Sequence, residues 1–320
     1  MSAPAAATGR TPPVLSLCGP TATKKTAFAV QLARALDGEV VSCDSMQIYS
    51  GMSIGTAAPS EAERCEIRHH MIGFLHPSTR YSVADYCKDA LSCIEQVYER
   101  GRVPILVGGT GLYMDSLLNG IQFEELPSSD ELRAELHRMA HEVGGEKLLD
   151  MLSETDAGTA QRLHPKDIKR IVRALEVQIL TGKTLTQLSA EQARLPTIRA
   201  VRFGLDYENR ALLYKRIDAR VDSMLERGLL EEVRELLRTP GIEKSTALQA
   251  IGYKELARVV LGEEQLDVAV TAIKRATRRY AKRQRTWFSR NPEVSWFLLD
   301  RQSEEDILLS MLRLYRAHTD

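Results

Sequence analysis

The chain has 320 residues, 43% of them apolar and 27% charged, with 43 Lys and Arg against 43 Asp and Glu. That length suits about two domains, and the composition excludes a disordered, collagen-like or disulfide-framework protein. A net charge of zero offers no global attraction to a polyanion and, taken alone, speaks against a nucleic-acid partner.

Residues 1–13 (MSAPAAATGRTPP) hold one basic residue and no apolar run. They read as a disordered start, not as a signal or transit peptide. Apolar runs at Val14–Leu17, Val40–Cys43, Val103–Val107, Val201–Leu205 and Val294–Leu299 predict strands. Helical spacing fills the intervals, at Thr26–Leu36 and at Ser82–Arg100, where Ser82 and Asp85 stand in capping-box register and Gly101 marks the stop. Alternating strands and helices predict an α/β core with a parallel sheet flanked by helices. From residue 122 to 196 the pattern is helical only, with segments at Ser129–Val143 and Pro165–Thr181. The expectation is a core built from 14–121 and 197–320, interrupted by an all-helical insertion at 122–196. After it, Glu208–Leu237 is amphipathic, with Leu213, Ile217, Val221, Met224 and Leu225 on one stripe.

No stretch approaches the ~20 apolar residues of a membrane span, so no membrane association is expected. The five cysteines form no C-x-x-C pair, which speaks against zinc and for a reducing, cytoplasmic setting. His69 and His70 are adjacent, face different ways and have no acidic or Cys partner spaced to join them, so they read as structural.

Directly after the first strand, Gly19-Pro20-Thr21-Ala22-Thr23-Lys24-Lys25-Thr26 opens a helix. Strand, loop and helix in this order read either as a plain strand–turn–helix with surface lysines or as a phosphate-binding P-loop, in which backbone N–H groups and the helix N-terminus cradle phosphates, Lys25 neutralises them and Thr26 holds Mg²⁺. The consensus has glycine where this chain has Lys24. The second strand ends in Asp44-Ser45-Met46-Gln47 and the third in Gly108-Gly109-Thr110-Gly111. Ligands of open α/β sheets bind at the carboxyl ends of strands, so Asp44 and Thr110 are candidates for the same crevice.

These motifs resemble those of the tRNA dimethylallyltransferases, also called tRNA isopentenyltransferases, over nearly the whole chain. The resemblance rests on GPTATKKT (19–26), DSMQIYSGMSIGTA (44–57), YSVADY (81–86), LVGGTGLY (106–113), RALEV (173–177), TGKTL (181–185), QAIGYKE (249–255) and KRQRTWF (282–288). It implies a P-loop NTPase-like fold and transfer of a dimethylallyl group from dimethylallyl diphosphate to N6 of adenosine 37, beside the anticodon, in tRNA. The P-loop then holds the diphosphate leaving group, with Lys25, Thr110 and a Mg²⁺ on Thr26 stabilising it and Arg216 and Arg220 reaching it from the long helix. Asp44 is implied as general base, with Ser45, Met46 and Gln47 lining the adenosine pocket. Arg133 and the segment Lys169, Arg170, Ile171, Val172 and Arg173 match positions that contact the tRNA anticodon stem-loop. No C2H2-type Cys/His pairing follows the C-terminal motifs, which suits the bacterial type of the family and a monomer. Ser53 and Ala58 depart from the common GMDIGTAKP pattern, as Lys24 does from the P-loop.

One feature stands on the residues alone. Ile273–Arg290 (IKRATRRYAKRQRTWFSR) has eight basic residues and no acidic one. At helical spacing Lys274, Arg278, Lys282 and Arg285 share a face. Cations crowded in this way repel one another, and a phosphate backbone relieves that. Three other readings are weighed: a P-loop small-molecule kinase, an adenylate isopentenyltransferase acting on a free nucleotide, and a non-catalytic RNA-binding protein with a decayed P-loop. The first two leave the basic C-terminal stretch unexplained; the third rests on Lys24 in the P-loop, and an Asp44→Ala variant that keeps tRNA affinity but loses transfer excludes it.

Overall fold

The computed structural model describes residues 12–121, 126–191 and 197–319. Most of the expected disordered start lies outside these. Pro12 and Pro13 are described and held: their carbonyls accept hydrogen bonds from the Tyr98 hydroxyl at 2.8 Å and the Tyr315 hydroxyl at 2.7 Å. The chain divides into two units, one of residues 1–120 with 197–320 and one of 121–196.

The larger unit is built on six strands: β1 (Val14–Cys18), β2 (Gly38–Cys43), β3 (His69–His70), β4 (Val103–Gly108), β5 (Ala200–Asp206) and β6 (Val294–Leu298). Their order is β3-β2-β4-β1-β5-β6 and every pairing is parallel. All residues of β1 and β2 are buried, because helices cover both faces of a parallel sheet and select continuous apolar runs over alternation. On one face Leu15, Leu17, Val107 and Phe203 pack with Phe28 and Leu32 of the helix Lys25–Leu36 and with Ile307 and Met311 of the helix Glu304–Arg316. On the other, Val41 and Leu106 pack with Tyr86 and Ile94 of the helix Val83–Glu99 and Met114 and Leu117 of the helix Gly111–Leu118. The expected capping box is formed: Asp85 N donates to Ser82 Oγ at 3.2 Å and Ser82 N to Asp85 Oδ2 at 2.8 Å. A third cluster joins Ile48, Tyr49 and Met52, just after β2, to the helices Arg210–Glu226, Leu229–Leu237, Tyr253–Val260 and Leu266–Phe288.

Two elements differ from expectation. The amphipathic stretch 208–237 is two helices, because Gly228 adopts a left-handed φ of 94° between them. The two-residue β3 pairs His69 with Val40 and His70 with Val41; its short, polar sequence carries no strand signal. His70 Nε2 is 2.7 Å from Glu39 Oε2, and Arg100 reaches the same carboxylate at 2.7 Å.

The described helices of the smaller unit are Asp130–Thr155, Ala157–Ala160, Ile168–Thr181 and Leu185–Glu191, and none of its described residues belongs to the sheet's six strands. The first is broken at Gly144, whose φ of 84° and ψ of 160° are not helical. Its core is Leu136, Leu148, Leu152, Ala160, Ile171, Val172, Ala174 and Leu175. No helix among the described residues is long and apolar enough to cross a membrane.

Candidate active site

The P-loop leaves the carboxyl end of β1. Gly19 is required there: its φ is 138°, and a Cβ would lie 2.2 Å from the Leu205 carbonyl oxygen of neighbouring β5. Gly19 and Pro20, expected with the rest of the loop to hold diphosphate, are not among the residues that line the cavity. Pro20 has no N–H, and its carbonyl instead accepts from Thr23 Oγ1 at 2.8 Å and Lys25 Nζ at 2.6 Å. The cavity, of about 640 Å³, is lined by Thr21 to Ala27, by Asp44 to Gln47, and by Arg220, Arg227, Tyr280, Arg283 and Gln284, among others. Lys25 stands where its neighbours disfavour charge. Burial and the nearby Arg220 push its pKa down to about 8, against the attraction of Cys18, Asp44 and Asp206. The Arg220 guanidinium is likewise pushed down by burial, with Asp44 opposing.

Lys24 holds a left-handed backbone, φ 59° and ψ 21°, as the helix N-cap. The loop thus keeps the conformation that glycine adopts freely. The Lys24 ammonium is paired with Glu304 of the C-terminal helix, and the residue also lines the cavity. Arg216 packs against the loop: its Nε donates to the Ala22 carbonyl at 3.4 Å and its guanidinium lies 5.6 Å from the centre of the Tyr207 ring.

Asp44 follows β2, and its Oδ1 accepts from Met46 N at 2.8 Å and Gln47 N at 3.3 Å. This Asx turn uses one oxygen; Oδ2 has no hydrogen bond among the described residues. Thr110 is next to it across the sheet edge: Ser45 N donates to Thr110 Oγ1 at 3.1 Å, and Thr110 N to the Cys43 carbonyl at 3.3 Å. Gln47 is braced by Ser42 Oγ at 2.8 Å and donates to the Thr56 carbonyl at 3.2 Å. The candidates Asp44, Ser45, Met46, Gln47 and Thr110 are thus one hydrogen-bonded cluster beside the P-loop.

Several residues of this region are not among the sequence-derived site candidates. Tyr280 sits against Thr110 and Asp44; burial raises its phenol pKa, the charge of Asp44 adds to that, and a hydrogen bond with Thr110 opposes it. Gln284 accepts from Thr21 N at 2.9 Å and donates to the Gly109 carbonyl at 2.9 Å. Glu232 accepts from Ile54 N (2.8 Å), Gly55 N (3.0 Å) and the Tyr253 hydroxyl (2.5 Å). One carboxylate thereby joins DSMQIYSGMSIGTA to QAIGYKE, and both motifs contribute to the cavity wall. Polar residues inside charged or amphipathic helices look like solvated surface until their partners are known.

The basic helix is only partly as expected. Lys274 pairs with Asp222 at 2.6 Å, Arg278 with Asp218 at 2.6 Å and Arg285 with Asp206 at 3.0 Å. The run is therefore not uncompensated, because the helix Arg210–Glu226 and β5 supply the carboxylates. Arg275, Arg279, Lys282 and Arg290 are exposed and have no ion pair among the described residues. In the smaller unit, Ile171 is 0% and Val172 2% exposed. Their side chains hold its core and are not available to RNA. Arg133 and Arg173 bind the buried Glu176 at 2.9 and 2.6 Å. Burial opposes ionisation of Glu176, but Arg173, the Ser129 amide and Arg133 outweigh it and hold the carboxyl below its usual range. Lys169 and Arg170 are exposed.

A parallel sheet with a P-loop after its first strand, and an Asp and a Thr at the ends of neighbouring strands, is the architecture of the P-loop α/β class. The sequence model described as IPP transferase matches residues 47–291, and the one described as isopentenyl transferase matches 12–73. A tRNA dimethylallyltransferase of Caldanaerobacter subterraneus subsp. tengcongensis is 43% identical over 289 residues, covering 90% of this chain and 92% of its own. One from Carboxydothermus hydrogenoformans is 43% identical, covering 92% and 94%. Among solved structures, a tRNA isopentenylpyrophosphate transferase from Bacillus halodurans is similar with a TM-score of 0.72 at 37% identity, covering 97% of each chain. A eukaryotic dimethylallyltransferase acting on tRNA reaches 0.77 at 28% identity, covering 94% of this chain and 77% of its own. The chain belongs to the tRNA dimethylallyltransferase family.

Proposed function

We propose that this chain transfers the dimethylallyl group of dimethylallyl diphosphate to N6 of adenosine 37 in tRNA, giving N6-(dimethylallyl)adenosine and diphosphate. The observation that carries the reading is a single cavity that joins the P-loop to the Asp44 cluster, so leaving group and base face one space. The N6 lone pair forms the new bond to the allylic carbon, and the carbon–oxygen bond breaks with its electron pair departing on diphosphate. The N6 proton passes to Asp44, whose Oδ2 is the oxygen not spent on the Asx turn. Lys25, Arg220 and the P-loop N–H groups from Thr23 onward meet the charge that develops on the leaving oxygens. Thr110 holds Ser45 in place beside Asp44.

Mg²⁺ fits these residues. Among the described residues no cluster of three or more His, Cys, Asp or Glu could hold a metal, whereas the Thr26 hydroxyl together with substrate oxygens and water suits an ion that favours phosphate ligands and retains water. When bound, it supplies further charge neutralisation for diphosphate.

The acceptor is a flipped base in an anticodon loop. Lys169 and Arg170 of the smaller unit and Arg275, Arg279 and Lys282 of the basic helix are the cations open to its phosphates. The proposed setting is the cytoplasm, in keeping with five free thiols, and the proposed active species a monomer. An Asp44→Ala variant is expected to lose about 10²–10⁴-fold in transfer while retaining affinity for an anticodon stem-loop, read by mass spectrometry of tRNA nucleosides and by direct binding. Undiminished transfer by that variant, or modification of free AMP in preference to the stem-loop, overturns the reading.

A further inference from the structure

Gln284 is the buried polar side chain of the basic helix for which the chemistry above has no use. It is 6% exposed, while Lys282, Arg283 and Arg285 around it are exposed. Its amide is matched at both ends, Oε1 to the Thr21 N–H and Nε2 to the Gly109 carbonyl, each at 2.9 Å. Thr21 leads from β1 into the phosphate loop, two residues ahead of the N–H groups proposed to face diphosphate. Gly109 immediately precedes Thr110, whose hydroxyl holds Ser45 beside Asp44. β1 and β4 are neighbours in the sheet, so this one side chain spans the gap between the leaving-group loop and the loop behind the base.

The seat is specific for an amide. A carboxylate has no hydrogen for the Gly109 carbonyl, and an aliphatic side chain takes the partner from a part-buried N–H and a buried C=O. Gly109 is shaped to it as well: a Cβ there would lie 2.0 Å from Nε2. The glycine makes room for the Gln284 amide.

We infer that Gln284 is a positioning residue for the transfer step, setting the separation between the diphosphate cradle and the Thr110–Asp44 cluster. The inference rests on the proposed prenyl transfer. A cross-link between the two halves of a reacting pair acts on their alignment more than on the binding of either substrate, and misplacement by about 1 Å costs on the order of 10²-fold in rate.

The test uses the full chain with Mg²⁺, dimethylallyl diphosphate and unmodified tRNA. Gln284→Leu is expected to lower kcat by about 10–100-fold, with KM for tRNA within about twofold and a melting temperature that shows folded enzyme. Gly109→Ala displaces the same amide without removing it, and is expected to reproduce the kcat loss. Because both changes break one cross-link, the double variant should be scarcely slower than the slower single. Unchanged kcat in folded Gln284→Leu, or losses that multiply in the double variant, overturn the inference. Where Gln284→Leu does not accumulate as folded protein, Gly109→Ala alone decides by the same kcat and KM comparison. Wild-type protein that modifies no tRNA defeats the functional reading; active wild type with unaffected variants defeats this inference alone.

Discussion

At the residue scale, the two adjacent lysines of the P-loop do opposite things. Lys24 occupies a left-handed position that costs a non-glycine residue about 1–2 kcal/mol, and it points its charge at Glu304. What reads in the sequence as a damaged motif is a loop of preserved backbone shape with a rerouted cation. Lys25, the proposed diphosphate ligand, stands in a site that already disfavours positive charge, with its pKa pushed down to about 8 by burial and Arg220. The sign of the consequence is fixed by which state holds more protons. Between about 8 and the ordinary value of about 10.4 the unfolded chain carries the proton and the folded one does not, so this group makes the ligand-free protein more stable as pH rises through that window. Diphosphate reverses the preference by favouring the cation. Its affinity should therefore fall as pH rises above about 8 more steeply in wild type than in Lys25→Met. Calorimetric titration with inorganic diphosphate across that range checks this, and parallel slopes in the two proteins contradict it.

At the element scale, the glycine-rich segment after β4 owes its glycines to close packing. Each of them clears a contact. A Cβ at Gly108 would meet the Cys43 carbonyl oxygen at 1.9 Å, at Gly109 the Gln284 amide, and at Gly111 Cδ1 of Trp287 at 2.3 Å. The motifs LVGGTGLY and KRQRTWF are two sides of one interface, closed by Trp287 Nε1 donating to Asp115 at 2.6 Å. Gly111→Ala is expected to destabilise by about 1–3 kcal/mol, because Trp287 must withdraw and give up that hydrogen bond. Urea unfolding measures it, and an unchanged midpoint contradicts the packing argument. The sequence reveals the existence of both elements through their apolar spacing. Their contact is not legible there, because 175 positions separate Gly109 from Gln284.

At the scale of the whole molecule, zero net charge is an average over unlike parts. Without the eight cations of 273–290 the rest of the chain carries 35 basic against 43 acidic residues. The structure divides those eight further, into cations neutralised by Asp222, Asp218 and Asp206 and cations that face solvent. Replacing Arg275, Arg279 or Lys282 singly by Gln should weaken tRNA binding and reduce the slope of log affinity against log salt by up to about one each. Lys274→Gln should leave the slope nearly unchanged, its charge being already met by Asp222. Filter binding across a salt series separates the two groups, and equal effects would show that the intramolecular pairs yield to RNA.

The sequence by itself determined the parallel α/β core, the phosphate loop and the clustering of Asp44 and Thr110 at strand ends. Those rest on local periodicity and on the rule that places ligands at the carboxyl edge of such a sheet. Tertiary structure alone decided which charged and polar residues are spent within the protein: Lys24 on Glu304, Arg133 and Arg173 on Glu176, Gln284 on two loops, and Glu232 on two motifs. A charge in a sequence looks the same whether it meets a carboxylate or water, and only the fold brings the partner within hydrogen-bonding distance.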